Sequence, residues 1–404
     1  MKVLVIALSA PPKNSPESVQ TGRYLQHLAK SMEVTLLTTK VYGGWEPADQ
    51  SLEKYLQSVF RVVSVRLPHP KLISLVRRIW PSLVFPDEGF FFLLQQWWIE
   101  RKIGHRPDLI ISRSAPFSSA IMARRMSSKW GIPWIMHLSD PWAGNPYEQN
   151  NGSTHKRAAI AERDCMRVAS AITVTSKKTV AYYQTKYPVW REKFHFLPNV
   201  FDDQSQTGGV LEFDKPMKFV FTGRLYGDRN LFLVIEAIEE ACRKHPVCST
   251  AEFLFAGFFD DRNAQRIQNT PAKNIKWLGP LSSEQANKLQ HEAAVLISID
   301  GLADNPMFDL YFPSKLLDYF LVQRPIIAIT NTTSTTYHEV EGKFGRCFNS
   351  RNQQELPDYI AHLVEQYRSK NKLAFKVSNE FGSYSSRVQS EVLIALAKKI
   401  VAHG

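Results

Sequence analysis

Two short texts concentrate groups able to hold a phosphorylated ligand. In FTGRLYGDRN, Phe221 to Asn230, an apolar run meets Gly223 and is followed by Arg224 and Arg229. A glycine lets backbone approach a ligand, and two forked guanidinium groups match the oxygens of a diphosphate. In YFPSKLLDYF, Tyr311 to Phe320, Pro313 and Ser314 mark a helix start. The amides of Ser314, Lys315 and Leu316 would then point outward at the positive end of the helix dipole, where phosphate binds. Lys315 adds a formal charge, and Asp318, about one turn later, would accept hydrogen bonds from sugar hydroxyls. Each text also has a plainer reading: solvated arginines after a strand, and an N-capped amphipathic helix with Leu316, Leu317, Tyr319 and Phe320 in the core.

A third text, IPWIMHLSDPWAGNPY, sets His137, Asp140 and Trp142 at or just past the end of a strand. Asp140 would orient a hydroxyl or stabilise developing positive charge, and His137 would act as a general base or simply hydrogen-bond. A satisfied structural histidine is the commoner case for a residue like His137. The same loop-after-strand logic points to Ser114 in SRSAPFS and to Thr21 and Gly22, which close the first loop, Pro11 to Gly22. That loop matches neither of the glycine-rich phosphate-binding patterns, and no nucleophile-elbow, zinc-protease or EF-hand text occurs.

Lys71 to Lys102 interleaves basic residues with Trp80, Phe85, Phe90 to Phe92, Trp97 and Trp98, a mixture suited to a membrane interface or a lipid-bearing substrate. Core helices with a wet basic edge are the more frequent explanation of such stretches, and the aromatics form no RNA-binding signature, so nucleic acid is not expected as a partner.

Parallel strands and short helices must position these residues. The 404 residues, 44% hydrophobic and 22% charged, exclude a disordered or fibrous chain and are enough for two domains. The formal charge of +12 favours anionic partners. Cys165, Cys242, Cys248 and Cys347 show neither a CxxC pair nor metal-ligand spacing, so reduced thiols are expected. No apolar run is long enough to span a bilayer, and the opening MKVLVIALSAPP suits a buried strand rather than a signal peptide, so a cytoplasmic location is expected.

Strand and helix patterns alternate from Lys2 to Leu197, pause in the turn-rich PNVFDDQSQTGGVLEFDKP, and resume from Lys218 to Ile329. The expected architecture is α/β: two doubly wound Rossmann-like domains facing a cleft. Residues 1–205 form the N-terminal domain and 206–383 the C-terminal one. A last helix, 384–404, has apolar residues at helical spacing and is able to pack back on the N-terminal domain.

Taken in order, PPKNSPESVQTGRYLQHLAK, SAPFSS, PWIMHLSDPW, ERDCMRVASAITVTS, FHFLPNVFD, FTGRLYGDRN, FLFAGF, IKWLGPL and FPSKLLDYFLVQRPIIA resemble a family 4 glycosyltransferase of the GT-B fold, of the bacterial surface-polysaccharide type. The resemblance covers most of the chain. It implies retaining transfer of a sugar from a nucleotide diphosphate to a saccharide or lipid-linked acceptor, with no obligatory metal or other cofactor. It places the enzyme in the cytoplasm or peripherally at the inner face of the cell membrane, with residues 71–102 as the contact. It also implies that the acceptor binds in the N-terminal domain through Thr21, Gly22 and Ser114, beside Asp140 and His137 as catalytic candidates. The donor falls to the C-terminal domain, where Arg224 and Arg229 take the diphosphate, Gly279 lies near the base, and Asp318 matches the second acid of the EX7E motif. The first acid would fall at Leu310, which cannot serve; Asp309 and Asp304 are near enough to replace it. Competing readings are a sugar-nucleotide 2-epimerase of the same fold and a non-catalytic membrane-associated scaffold.

Overall fold

A computed structural model describes residues 1–40, 48–80, 82–146, 152–203, 211, 213, 215–302, 305–370, 373 and 378–403. The chain divides into two compact units, Met1–Asp203 with Ser383–Gly404, and Gln204–Gly382.

The first unit is built on strands β1 (Lys2–Ala7), β2 (Glu33–Thr39), β3 (Arg61–Val65), β4 (Leu109–Ser114), β5 (Trp134–Leu138), β6 (Ala171–Val174) and β7 (Phe194–Phe196). They form one parallel sheet in the order β3-β2-β1-β4-β5-β6-β7. Parallel sheets need apolar residues on both faces, because crossover helices cover both. β1 shows the division: Leu4 and Ile6 join the core under the helix Ser118–Trp130, while Val3 and Val5 join the core under the helix Pro16–Ser31. The final helix, Ser386–His403, packs on Pro16–Ser31 and contributes Leu393 and Ala397 to that second core. Its start is tied down by Asp203, whose carboxylate accepts from the Ser386 hydroxyl at 2.6 Å and the Arg387 amide at 2.7 Å.

The second unit carries β8 (Lys218–Leu225), β9 (Glu252–Phe259), β10 (Ile275–Trp277), β11 (Val295–Ile299), β12 (Ile326–Ile329) and β13 (Gly345–Phe348), all parallel in the order β10-β9-β8-β11-β12-β13. The winding direction reverses between β8 and β11. Loops leaving such a pair of strands diverge to opposite sides and open a crevice beyond the strands' carboxyl ends, which is where doubly wound sheets hold ligands.

Strands β3 and β13 are absent from the alternation read in the sequence. β3 is an edge strand with Arg61 and Val62 exposed, and β13 has only four residues, so neither shows the apolar run of an interior strand. Cys165, Cys248 and Cys347 are buried and unbonded, and Cys242 is half-buried. No helix among the described residues is long and apolar enough to cross a membrane.

Candidate functional site

The crevice of the second unit gathers residues of the two texts from which phosphate binding is expected. Gly223 sits near the end of β8 with φ +141°, and in register with it on β9 is Gly257 with φ +132°. Both lie where L side chains are strained, and a Cβ on Gly257 would fall 1.7 Å from the Gly223 carbonyl oxygen. Gly257 in turn donates its amide to the Gly279 carbonyl at 2.8 Å. A bare backbone floor therefore runs across the ends of β8, β9 and the segment after β10.

Lys315 lies over this floor. Its Nζ is 3.9 Å from the centroid of Phe221, and a Cβ at Gly223 would stand 3.7 Å from it. Its helix, Lys315–Val322, is fixed to β8 by Tyr319, whose hydroxyl accepts from the Thr222 amide at 3.1 Å. Gln290, on the helix Ser283–Glu292, donates to the Thr222 hydroxyl at 2.8 Å, so two helices hold the strand at this residue. Burial pushes the Lys315 amine down to about 7; Asp300 acts through space to raise it, and Arg229 lowers it further.

Arg229 reaches the same crevice from the loop after β8. Its amide donates to the Tyr226 carbonyl at 3.2 Å, and its guanidinium carbon is 5.6 Å from the Tyr226 ring centroid. Buried Asn263 secures the loop from below, donating to the Arg229 carbonyl at 3.3 Å and accepting from the Leu231 amide at 2.9 Å. Arg224 is more open: it is exposed and stands 5.1 Å over Phe258.

Asp300, just past the end of β11, is a site residue that the sequence motifs do not mark. One carboxylate oxygen accepts from the Thr330 hydroxyl at 2.8 Å, and the other is buried with no hydrogen-bond partner among the described residues. Its neighbour Gly301 abuts the Asp228 side chain, so the loops after β8 and β11 meet here. No sequence pattern flags a single aspartate after a run like VLISI; only strand order reveals that it faces Lys315.

The helix beginning at Ser314 departs from the sequence expectation. Ser314 makes no side-chain cap, and the Leu316 amide donates to the Pro313 carbonyl at 3.0 Å. Leu316 is fully buried, so it offers a ligand neither amide nor side chain, and the expected three-amide cradle reduces to Ser314 and Lys315. Asp318 is half-buried in the first turn, on the same helical face as Lys315. Leu310 is buried core, and Asp309, half-buried, uses its carbonyl to accept from the Thr335 hydroxyl at 2.9 Å. Asp304 lies outside the described residues.

In the first unit three expectations are corrected. The first helix starts at Pro16, with Ser15 as its cap, inside the stretch Pro11 to Gly22 read as a loop. Thr21 and Gly22 are therefore mid-helix and buried: Thr21 accepts from Arg113 Nε at 3.2 Å, and Gly22 is wedged under Tyr55 and Pro11. Neither can touch an acceptor from there. His137 is likewise buried, because β5 continues one residue beyond it and alternation turns its ring onto the sheet face rather than the strand end. Its Nδ1 lies 3.0 Å from the Thr173 hydroxyl, and burial together with Arg113 holds its pKa well below the usual imidazole value. Its Nε2 is buried with no hydrogen-bond partner among the described residues, and the residue lines a small cavity of about 10 Å³ together with Thr21, Tyr24 and Arg113. A neutral, enclosed imidazole is not a base for a substrate hydroxyl. Ser114 ends β4 fully buried, its carbonyl accepting from the Ser139 amide at 2.7 Å.

Asp140 remains half-buried in the loop after β5, and that loop is firmly held. Trp142 stacks on Phe117 at 4.7 Å, and its amide donates to the Tyr183 hydroxyl, which donates to Glu162 at 3.0 Å. Glu162, fully buried, also takes the Ala143 amide at 2.8 Å and Lys186 at 2.6 Å. Next to Asp140, the Ser139 hydroxyl donates to Glu17, which also pairs with Arg113 at 3.1 Å. Burial raises the Glu17 pKa above the usual carboxylate value, opposed by Arg113 and by hydrogen bonds from Ser139 and Thr21. Glu17 is a second carboxylate beside Asp140 that the motif reading did not single out, although it stands within PPKNSPESVQTGRYL. Among the described residues no three His, Cys, Asp or Glu side chains are grouped to hold a metal ion.

Residues 18–200 match the family model described as a glycosyl transferase 4-like domain. That stretch carries a glycosyltransferase domain by its sequence. No curated protein matches it. Among solved structures, the chain is similar to HepE of Anabaena in complex with UDP and glucose, at 14% identity and a TM-score of 0.67, covering 99% of this chain and 100% of that one. It is similar also to the lipopolysaccharide outer core galactosyltransferase WaaB, at 14% identity and a TM-score of 0.59, covering 99% of this chain and 100% of that one. A TarM variant of S. aureus, in complex with UDP, fondaparinux and alpha-GlcNAc-glycerol, has 12% identity and a TM-score of 0.63, covering 98% of this chain and 99% of that one. At these identities the likeness is one of fold: two units, each a parallel sheet with alternating helices, the GT-B architecture.

Proposed function

We propose that the chain is a glycosyltransferase that binds a nucleotide-diphosphate sugar in the crevice of its second unit and transfers the sugar, with retention of anomeric configuration, to a saccharide acceptor carried on a lipid. The observation that carries the reading is the convergence of Gly223, Arg229 and Lys315 near the ends of β8 and β11, with Lys315 over a bare backbone floor and Arg229 close enough to act on its charge. The HepE and TarM structures named above hold UDP, which supports a uridine nucleotide as the first donor to try.

In the reaction the bond from the anomeric carbon to the diphosphate oxygen breaks, and the acceptor oxygen bonds to that carbon on the same face. The departing phosphate oxygen takes the acceptor proton, so no protein nucleophile is needed. Lys315 and Arg229, with Arg224 at the rim, stabilise the negative charge that grows on the leaving group. Such fixed charges cost no reorganisation at the moment of reaction and supply the largest share of catalysis in sites of this kind. Asp318 accepts from ribose hydroxyls, Gly279 lines the base, Ser314 and Lys315 offer amides, and Asp140 faces the acceptor side. A lipid-linked acceptor places the enzyme at the inner face of the cell membrane.

A thermal-shift screen of sugar nucleotides, followed by transfer to an acceptor and determination of the product's anomeric configuration, tests the reading. Stabilisation by one nucleotide diphosphate and its sugar ester, lost in Lys315→Ala, is expected. Absence of stabilisation by every sugar nucleotide, or an inverted product, refutes it.

A further inference from the structure

The two central strands of the second unit part before either of them ends. β8 pairs with β11 only at Phe219 with Val295 and Val220 with Leu296. Yet β8 continues beside β9 as far as Leu225, and β11 beside β12 as far as Ile299. A seam therefore opens inside the sheet. Carried two residues further, the register would set Thr222 opposite Ser298, two polar residues in otherwise apolar runs. Both are buried, and the Ser298 hydroxyl has no hydrogen-bond partner among the described residues.

Alternation gives the seam two faces. Phe219 and Phe221 of β8, with Val295, Ile297 and Ile299 of β11, join the core on one face. Thr222 and Ser298 turn to the other, where Thr222 meets two helices. Its amide donates to the Tyr319 hydroxyl at 3.1 Å, and its own hydroxyl lies 3.3 Å from that oxygen while accepting from Gln290 at 2.8 Å. Burial pushes the Tyr319 hydroxyl up to about 12, so it stays neutral throughout the range in which Lys315 titrates. Lys315 stands four residues before Tyr319 and so on the same side of the helix. Its amine nevertheless lies 3.9 Å from the ring centroid of Phe221, which belongs to the opposite face of the sheet, so the side chain reaches across the seam. Asp300 from the end of β11 and Arg229 from the loop after β8 act on its charge there.

We propose that Tyr319 is the positioning residue of this crevice: by taking the Thr222 amide at the point where β8 and β11 part, its hydroxyl holds the helix Lys315–Val322 at the open seam and keeps the Lys315 amine buried over Gly223. Tyr319 itself touches no substrate. The proposal deepens the reading of the crevice as the donor site, and its first test needs no donor.

That test is the titration of the Lys315 amine, followed by the Cε carbon shift in lysine-labelled protein and assigned by comparison with Lys315→Arg. The wild-type amine should titrate near 7. Tyr319→Phe removes one oxygen and keeps the ring; freed of the strand, the helix admits water to the amine, and its titration should move up by about one pH unit or more. Leu321→Val, which loosens the packing of the same helix without touching β8, should leave the titration in place. In the wild type the Thr222 amide should exchange with solvent as slowly as the paired amides of β8. A wild-type amine titrating at the ordinary lysine value, no movement in Tyr319→Phe, an equal movement in Leu321→Val, or fast exchange at Thr222 each overturns the proposal.

The second test is affinity, with UDP as first probe and then the tightest sugar nucleotide of the thermal-shift screen. Tyr319→Phe should weaken binding about fivefold in the wild-type background and less than about twofold in a Lys315→Ala background, because it acts through that amine. Equal losses in both backgrounds overturn the proposal and leave the donor reading intact. A titration that behaves as expected, with no nucleotide diphosphate bound by the wild type, leaves the role of Tyr319 in placing the amine standing and removes the donor reading.

Discussion

If the proposed donor binds at Lys315, its amine should make that binding a proton-linked event. In the free protein its pKa is about 7, down from 10.5, chiefly because of burial, with Asp300 opposing the fall and Arg229 adding to it. A diphosphate arriving over Gly223 supplies the missing counter-charge and raises that pKa, so binding takes up a proton wherever the free amine is neutral. The sign follows: affinity is at its full value below about 7 and declines as pH rises toward the bound pKa. If the diphosphate restores the ordinary value, affinity should drop about tenfold, or about 1.4 kcal/mol, between pH 6 and pH 8, and about 0.9 proton should be taken up per site at pH 8. A nucleotide-diphosphate sugar suits the assay because both its phosphates are diesters and do not titrate in this range. Titration calorimetry in buffers of different ionisation enthalpy measures the proton directly. Lys315→Arg should flatten the profile, since a guanidinium does not titrate here, while Asp300→Asn should move the decline to lower pH. A wild-type affinity that is flat from pH 6 to 8, with no buffer dependence of the binding enthalpy, would refute the reasoning.

Other expectations follow from the same geometry. Arg224→Ala removes an exposed guanidinium at the rim of the crevice and should weaken sugar-nucleotide binding by about 1 to 3 kcal/mol with an unchanged melting temperature, read by calorimetry. Gly257→Ala should destabilise the second unit by about 3 kcal/mol or more in urea denaturation, since its methyl would meet the Gly223 carbonyl at 1.7 Å and its φ is positive. His137→Gln should leave the transfer rate within a few fold across pH 6 to 8 while costing about 1 to 2 kcal/mol of stability, because the imidazole is buried and already neutral. Glu162→Ala leaves Lys186 and two tyrosine hydroxyls without their buried acceptor, and about 3 to 5 kcal/mol should be lost in the same denaturation assay, together with the fixed position of the Asp140 loop.

The contrast between the two units shows what made a site legible. Interior parallel strands are apolar on both faces, so β1, β4, β5, β8, β11 and β12 stand out as short branched runs, and the residue just past each is a position where a ligand binds. That rule singles out Gly223 and Asp140, because both follow an apolar run, and the structure puts them near the ends of β8 and β5. It failed where the boundary was misjudged. Reading Pro11 to Gly22 as one loop carried Thr21 and Gly22 to the surface, whereas Pro16 at the first helical turn and Ser15 accepting from the Ser18 amide begin the helix earlier and sink both residues against the sheet. The same shift brings Glu17 into the first turn beside Ser139 and Arg113, where its carboxylate becomes a candidate in place of them. His137 failed by a single residue: in a strand, one step along the chain exchanges the ligand-facing end for the packed face. Asp300 was hidden for a different reason. Its chemistry comes from the pairing of β8 with β11, two strands some seventy residues apart in the chain, and from a helix that adds Lys315 from a third direction. Motif spacing is blind to such a neighbour. The strand order 3-2-1-4-5-6 within this unit is therefore the piece of information that turns separate texts into one site, and substituting Asp300 is the most direct way to show that the crevice, and not either motif alone, sets the charge on Lys315.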